Sequence, residues 1–200
     1  MIRSFSPHPN PLPPGERVGH SSPQQSWGVF WNILIKISEQ YKTWGRSRSN
    51  RLSNFDYSED RPIHVTICTD NKKNIFESET NAKIVINELL KTGRELGFQI
   101  LCYCLMPDHL HIVLSPGDST LSLSKFLNIF KGRTTAVFRE KEGLKKLWQR
   151  SAFDHVIRAD EDLRAIVEYI RNNPVRKGIA EKADDYPYSE WFDVEIQKYI

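Results

Sequence analysis

The sequence predicts an α+β domain of the ferredoxin-like type: a split βαβ antiparallel sheet with helices on one face and an added C-terminal helix. Three observations predict it. From Ile63 onward the residue patterns run strand, helix, strand, strand, helix, strand, helix. The middle two strands are separated only by Pro107-Asp108, a turn short enough to make them an antiparallel pair. Each helical segment is apolar along one side only, as a helix lying on a sheet must be.

The chain opens with Pro, Ser, Gly and Gln: six of its 11 prolines fall between Pro7 and Pro23. Such a composition buries little surface, so residues 1–50 are expected to be a disordered extension outside the domain. Within it, WGVFWNILIKI is a strand or a helical turn, and RSRSNR (46–51) is a basic linker, read either as a phosphate-gripping arm or as a solvated tail. The single domain is expected over residues 51–200. Its first strand is IHVTICT, rich in β-branched residues, closed by the turn DNKKN. Ala82, Val85, Ile86, Leu89 and Leu96 recur at helical spacing, with Gly97 as the stop. FQILCYCLM and HLHIVLS form the central hairpin; Leu123, Phe126, Leu127, Phe130, Val137 and Phe138 mark the second helix. A fourth strand is expected through FDHVIR, and a last helix from Asp160-Glu161-Asp162 through Leu163, Ile166, Val167 and Ile170, ended by Pro174. No internal repeat is visible.

Composition narrows the setting more than the function. Twenty-eight basic residues against 25 acidic ones leave a net charge of +3, too slight by itself to require a polyanionic partner. Cys68, Cys102 and Cys104 match neither a zinc ribbon nor a disulfide framework, so they are read as core thiols in a reducing compartment. No stretch approaches the roughly 18–20 apolar residues of a membrane span, and the N-terminus lacks the pattern of a secretory signal. A cytoplasmic location with no membrane contact is the expectation.

The chemistry-bearing stretch is YCLMPDHLHIVLSP. Because strand side chains alternate, His109 and His111 share one face, while Leu110, Ile112 and Leu114 take the core face. Two adjacent imidazoles can share a divalent ion through one ring nitrogen each; alone, the same pattern also describes surface histidines on an edge strand. In EYIRNNPV, Tyr169 and Asn173 lie four residues apart, hence one helical turn apart on the same face. They read either as a phenol and an amide aimed at an ion or as a packed tyrosine and a helix cap.

The runs CLMPDHLHIVLSP, LWQRSAFDHVIRADEDLRAIVEYIRNNPVRKGIA and DDYPYSEW, together with the upstream RLSNFDYSEDRPIHVTICTDNKKNIF, resemble the REP-associated tyrosine transposases. These belong to the single-tyrosine insertion-sequence transposases within the HUH endonucleases. The resemblance spans about Arg51 to Trp191. It implies that His109 and His111 are metal ligands, that Asn173 assists them, and that Tyr169 is the nucleophile. It further implies a cycle in which the tyrosine keeps a 5′ phosphate and releases a 3′ hydroxyl, and a single-stranded or hairpin DNA partner. A homodimer that exchanges the tyrosine helix is a further implication. Asp108 departs from the pattern, since many relatives carry Asn there.

Imidazoles, an amide oxygen and a substrate phosphate suit Mg²⁺ or Mn²⁺. For DNA contact, the basic residues of Lys125 to Arg150 include Lys125, Lys131, Arg133, Arg139 and Arg150, eight in all against Glu140 and Glu142. Arg158, Arg171 and Arg176 are added as phosphate contacts, and Trp148 as a stacking platform or a core anchor. His64 and His155 are read as structural. The expected activity is cleavage and rejoining of hairpin-containing repeat DNA; the alternatives are a non-catalytic single-strand binding module and an inactive domesticated transposase.

Overall fold

The computed structural model describes residues 61–157 and 162–199. The extension expected over residues 1–50, the start of the domain and Arg158 lie outside the described residues.

Five strands form one antiparallel sheet in the order β4-β1-β3-β2-β5. The first four are β1 (Ile63–Cys68), β2 (Gln99–Met106), β3 (His109–Ser115) and β4 (Phe153–Val156). Their order is the expected split βαβ arrangement, with β3 inserted between β1 and β2. The fifth, β5 (Ser189–Trp191), adds to the outer edge of β2 through Cys102↔Trp191, Tyr103↔Glu190 and Cys104↔Ser189. Sequence patterning gave no hint of it, because three residues are too few to display an alternation.

Alternation on the strands divides the interior in two. Ile63, Val65, Ile67, Leu110, Ile112 and Leu114 face a core built with Phe76, Phe126, Phe130, Phe138 and Trp148. Helices α1 (Glu79–Leu96) and α2 (Leu123–Glu142) cover this face. Gly97, at φ 75°, turns the chain out of α1 and returns its N–H to the carbonyls of Gly93 and Arg94. Trp148 is a core anchor: its indole N–H donates to Thr134 Oγ1 at 2.8 Å, both buried.

On the opposite face Leu101, Cys102, Cys104, Met106 and Val113 pack against α3 (Leu163–Arg171), with Tyr186 and Ile196 completing a second core. Helices thus lie on both faces, the tyrosine-bearing one alone on its side with short C-terminal elements. The three thiols are buried, as expected.

The final helix differs in detail from the pattern. Asp162 caps it, its carboxylate accepting from the N–H groups of Arg164 and Ala165. It stops at Arg171, and the chain re-enters a single helical turn, α4 (Asn173–Arg176), with Pro174 in its first turn. Proline has no N–H to donate and its ring crowds the preceding turn, so the break falls just ahead of it. Among the described residues no helix is long and apolar enough to cross a membrane.

Candidate active site

Three segments converge on one open cleft of about 730 Å³. Strands β1 and β3 supply Thr66, Cys68, His109 and His111; the end of α3 and the turn α4 supply Tyr169, Asn173 and Arg176; the turn after β1 supplies Lys72. All four residues expected at the catalytic centre, Tyr169, His109, His111 and Asn173, therefore line the same cleft of the same chain.

The histidine pair is set by register. Thr66 lies opposite His111 and Cys68 opposite His109, all on the face away from the large aromatic core. The rings of His109 and His111 stand perpendicular at 4.8 Å between centroids, and their Nε2 atoms are 3.2 Å apart. Behind them each Nδ1 has its own partner. Asp108 Oδ1 takes the Nδ1 of His109, and Thr66 Oγ1 lies 3.0 Å from the Nδ1 of His111. The Asp108 carboxyl is held below its ordinary range, first by this hydrogen bond and against the opposing effect of its own partial burial.

His64 sits one layer deeper. Its Nε2 is 3.3 Å from His111 Nδ1, and its own Nδ1 is buried with no hydrogen-bond partner among the described residues. Burial, reinforced by the charge of His155 across the strand pair, pushes His64 down to about 3. Burial likewise lowers His111 well below the ordinary imidazole value, with His109, His64 and Arg176 adding to it. Both buried imidazoles are therefore neutral near pH 7, the state in which a ring nitrogen can offer a lone pair to a cation. His64 was legible as a buried strand residue; its contact with a site histidine comes from the β1–β3 register, which local pattern does not reveal.

Asn173 is buried and its Nδ2 donates to the carbonyl of Tyr169 at 3.3 Å, which preserves the one-turn stacking across the helix break. Its Oδ1 remains as the acceptor end. Tyr169 is largely buried among the second core, and the guanidinium of Arg176 lies 4.4 Å above its ring.

The donor set fits a hard octahedral ion. For metal–ligand distances of about 2.1–2.2 Å, neighbouring corners of an octahedron are about 3.0–3.1 Å apart, close to the observed 3.2 Å between the two Nε2 atoms. Among the described residues no group of three or more His, Cys, Asp or Glu side chains is gathered for an ion; the Asn173 amide lines the same cleft as the histidine pair and could contribute an oxygen. A closed nitrogen–sulfur zinc shell is a poorer match.

The basic residues distribute differently from the sequence expectation. Lys125, Lys131, Arg133 and Arg139 belong to α2, which packs on the sheet face opposite the histidines. Lys131 is turned inward, its ammonium reaching the carbonyls of Gln149, Arg150 and Ser151, and burial lowers it to about 8. Arg133 clamps α2 to α1 through Glu95 and Glu88. Lys125, Arg139 and Arg150 are exposed but do not line the cleft. Arg171 lies 4.0 Å over the Trp191 ring and pairs with Asp184 and Glu168, which ties α3 to β5. Of the seven such residues that are described, Arg176 alone is in the cleft lining, joined there by Lys72 and Lys177, which the sequence reading did not single out. Lys72 arrives through a turn in which Asn71 and Lys72 both have positive φ, 56° and 52°.

Fold and cleft together define a class: a small α+β protein with paired histidines on its sheet and a tyrosine on the helix across from them. The chain belongs to the family of IS200-like transposases, whose pattern matches residues 58–173. It is 33% identical over 112 residues to the REP-associated tyrosine transposase of Escherichia coli K12, an alignment covering 55% of this chain and 64% of that protein. A Haemophilus influenzae protein provisionally given the same name is 29% identical over 120 residues, 54% of this chain and 68% of its own length. A solved structure of a REP-associated tyrosine transposase bound to a REP hairpin matches with a TM-score of 0.60 at 22% identity, covering 75% of this chain and 88% of that one. That likeness establishes a common fold.

Proposed function

We propose that this protein is a metal-dependent transposase that cleaves and rejoins single-stranded, hairpin-containing repeat DNA through a phosphotyrosine at Tyr169. The observation that carries the proposal is the meeting of the two Nε2 atoms, each ring backed at its other nitrogen, in a cleft that Tyr169 and Asn173 also line. A binding module has no need for two converging imidazole nitrogens in a cleft that a tyrosine also lines. Family membership and the fold shared with a hairpin-bound relative support the same reading.

His109, His111 and the Asn173 oxygen would hold Mg²⁺ or Mn²⁺, which supplies Lewis-acid neutralisation of the scissile phosphate when bound. The protein's own residues do the rest. Arg176 and Lys72 give the cleft positive charge to seat the phosphodiester, and Arg176 also fixes the Tyr169 ring from above. Burial of the ring in the second core restricts the phenol to a narrow range of directions, which is what in-line attack needs. Tyr169 Oη forms a bond to phosphorus as the bond from phosphorus to the 3′ oxygen breaks. The phenolic proton is given up and the departing 3′ oxygen gains one, so the step is neutral overall. The 5′ phosphate stays on the tyrosine, and attack by another 3′ hydroxyl reverses the exchange without an external energy source.

The tyrosine and the histidines of one chain share the cleft, so we propose that one chain can complete the site without exchanging helices with a partner. The test is incubation with a labelled single-stranded hairpin oligonucleotide and Mn²⁺, followed by a denaturing gel. A protein–DNA adduct that needs the metal and is lost in Tyr169→Phe, with binding retained, is expected. Metal-independent cleavage, or an adduct that survives Tyr169→Phe, would overturn the assignment.

A further inference from the structure

The two histidines present their Nε2 lone pairs because other side chains occupy their Nδ1 atoms, and this backing is assigned to no residue by family membership. On one side stands Asp108. An ionised carboxylate has no proton to give, so the hydrogen in its contact with His109 Nδ1 belongs to the ring, and His109 Nε2, 3.2 Å from His111 Nε2, is the unprotonated nitrogen. The Asp108 position is itself fixed, because its carbonyl accepts from both the N–H and the Oγ1 of Thr69, at 2.9 and 3.0 Å. On the other side stands Thr66. Its Oγ1 lies 3.0 Å from His111 Nδ1 in a fully buried contact, and the antiparallel pairing of Thr66 with His111 makes that contact a property of the sheet.

We infer that Asp108 and Thr66 are positioning residues: each orients one of the two site histidines, and Asp108 also fixes the tautomer in which His109 offers Nε2 to a divalent cation. This rests on the proposed metal site and deepens it. The two backing groups act independently, one from the β2–β3 turn and one from β1, so each ring has its own support. A carboxylate can only accept, whereas a hydroxyl can donate or accept and chiefly orients, so the two histidines are held inequivalently. The Asp108 carboxylate lines the cleft beside the ring, and its charge is directed at the ring nitrogen and is not left as an unpaired repulsion for phosphate.

The test uses the metal-free full chain and Mn²⁺ alone, with free Mn²⁺ followed by electron paramagnetic resonance. Asp108→Ala should weaken Mn²⁺ binding by roughly 10–100-fold and Asp108→Asn, which keeps an acceptor but not the charge, by less. Thr66→Val should weaken it similarly, and Thr66→Ser should restore it. Nitrogen-15 shifts of the imidazoles provide a readout without metal: His109 should show a protonated Nδ1 in the wild type and lose that signature in Asp108→Ala. Circular dichroism melts identify any variant that fails to fold, and Asp108→Asn, which preserves shape, then carries the comparison. Unchanged Mn²⁺ affinity in both Asp108→Ala and Thr66→Val, with the wild type binding normally, would overturn the inference. Absence of Mn²⁺ binding in the wild type would instead remove the metal site on which it rests.

Discussion

Acidifying the metal-free protein from pH 7 to pH 4 should cost about 3 kcal/mol of folding stability through His64 alone. His64 is completely enclosed, and burial, with His155 across the strand pair, carries it from 6.5 to about 3. The unfolded chain takes up a proton near the ordinary value, while the folded chain resists it until far lower. Between those limits the unfolded state binds more protons, so stability is full above about pH 6.5 and falls as the pH drops toward 3. Each pH unit in that window is worth about 1.4 kcal/mol, giving a ceiling of about 5 kcal/mol of which about 3 is lost by pH 4. Urea unfolding followed by tryptophan fluorescence in EDTA, at intervals from pH 7 to pH 4, measures the loss. His64→Leu, or His64→Gln if the first folds poorly, should lack most of it, so the informative quantity is the difference between the two pH curves. Parallel curves would refute the view that His64 is a neutral, desolvated ring behind the site.

Four further outcomes follow from the packing and the cleft. Phe130→Ala empties a fully buried position in the aromatic core and should cost about 3–5 kcal/mol by chemical denaturation. Lys131→Met removes an ammonium held by three carbonyls and should lose about 1–3 kcal/mol, with DNA affinity unchanged in a filter-binding assay. Arg176→Ala should weaken hairpin binding and lower the slope of log affinity against log salt by about 1, whereas Arg133→Ala should leave that slope alone and reduce thermal stability. Chelation with EDTA should abolish the covalent adduct without unfolding the chain, and Mn²⁺ should restore it, followed on the same denaturing gel.

Much of the fold was legible because long elements repeat their signal. The apolar stripe of Leu123 to Phe138 and the alternation of HLHIVLS each recur often enough to fix both element type and face. The residues that meet in the cleft were legible as two local pairs, but their supporting contacts were not. Tyr169 and Asn173 stand at helical spacing, and His109 and His111 at strand spacing, so each pair is a local pattern. Asp108 was visible as a departure from relatives, yet its role depends on a carboxylate rotating onto the neighbouring ring. Thr66 and His64 carry no signal of their own, because their relation to His111 is a cross-strand register between segments 45 and 47 residues apart. The placement of the basic side chains was hidden for a related reason. A cluster in sequence says nothing about side-chain direction, and the long stems of Lys131 and Arg133 reach back to carbonyls and carboxylates of their own fold. Lys72 and Lys177, isolated in sequence, line the cleft because the turn after β1 and the end of α4 bring them there.

Strands β1 and β3 serve two masters on alternate residues: Ile63, Val65, Ile67, Leu110 and Ile112, which hold the aromatic core, are each flanked by a side chain of the cleft or its backing. A slip of one residue would submerge the imidazoles in hydrocarbon and push isoleucine and leucine into the cleft, so such a chain would forfeit ion capture and cohesion in the same stroke. Ion uptake at the proposed site would therefore be a sensitive reporter of correct strand alignment, and selection for either property would guard the other.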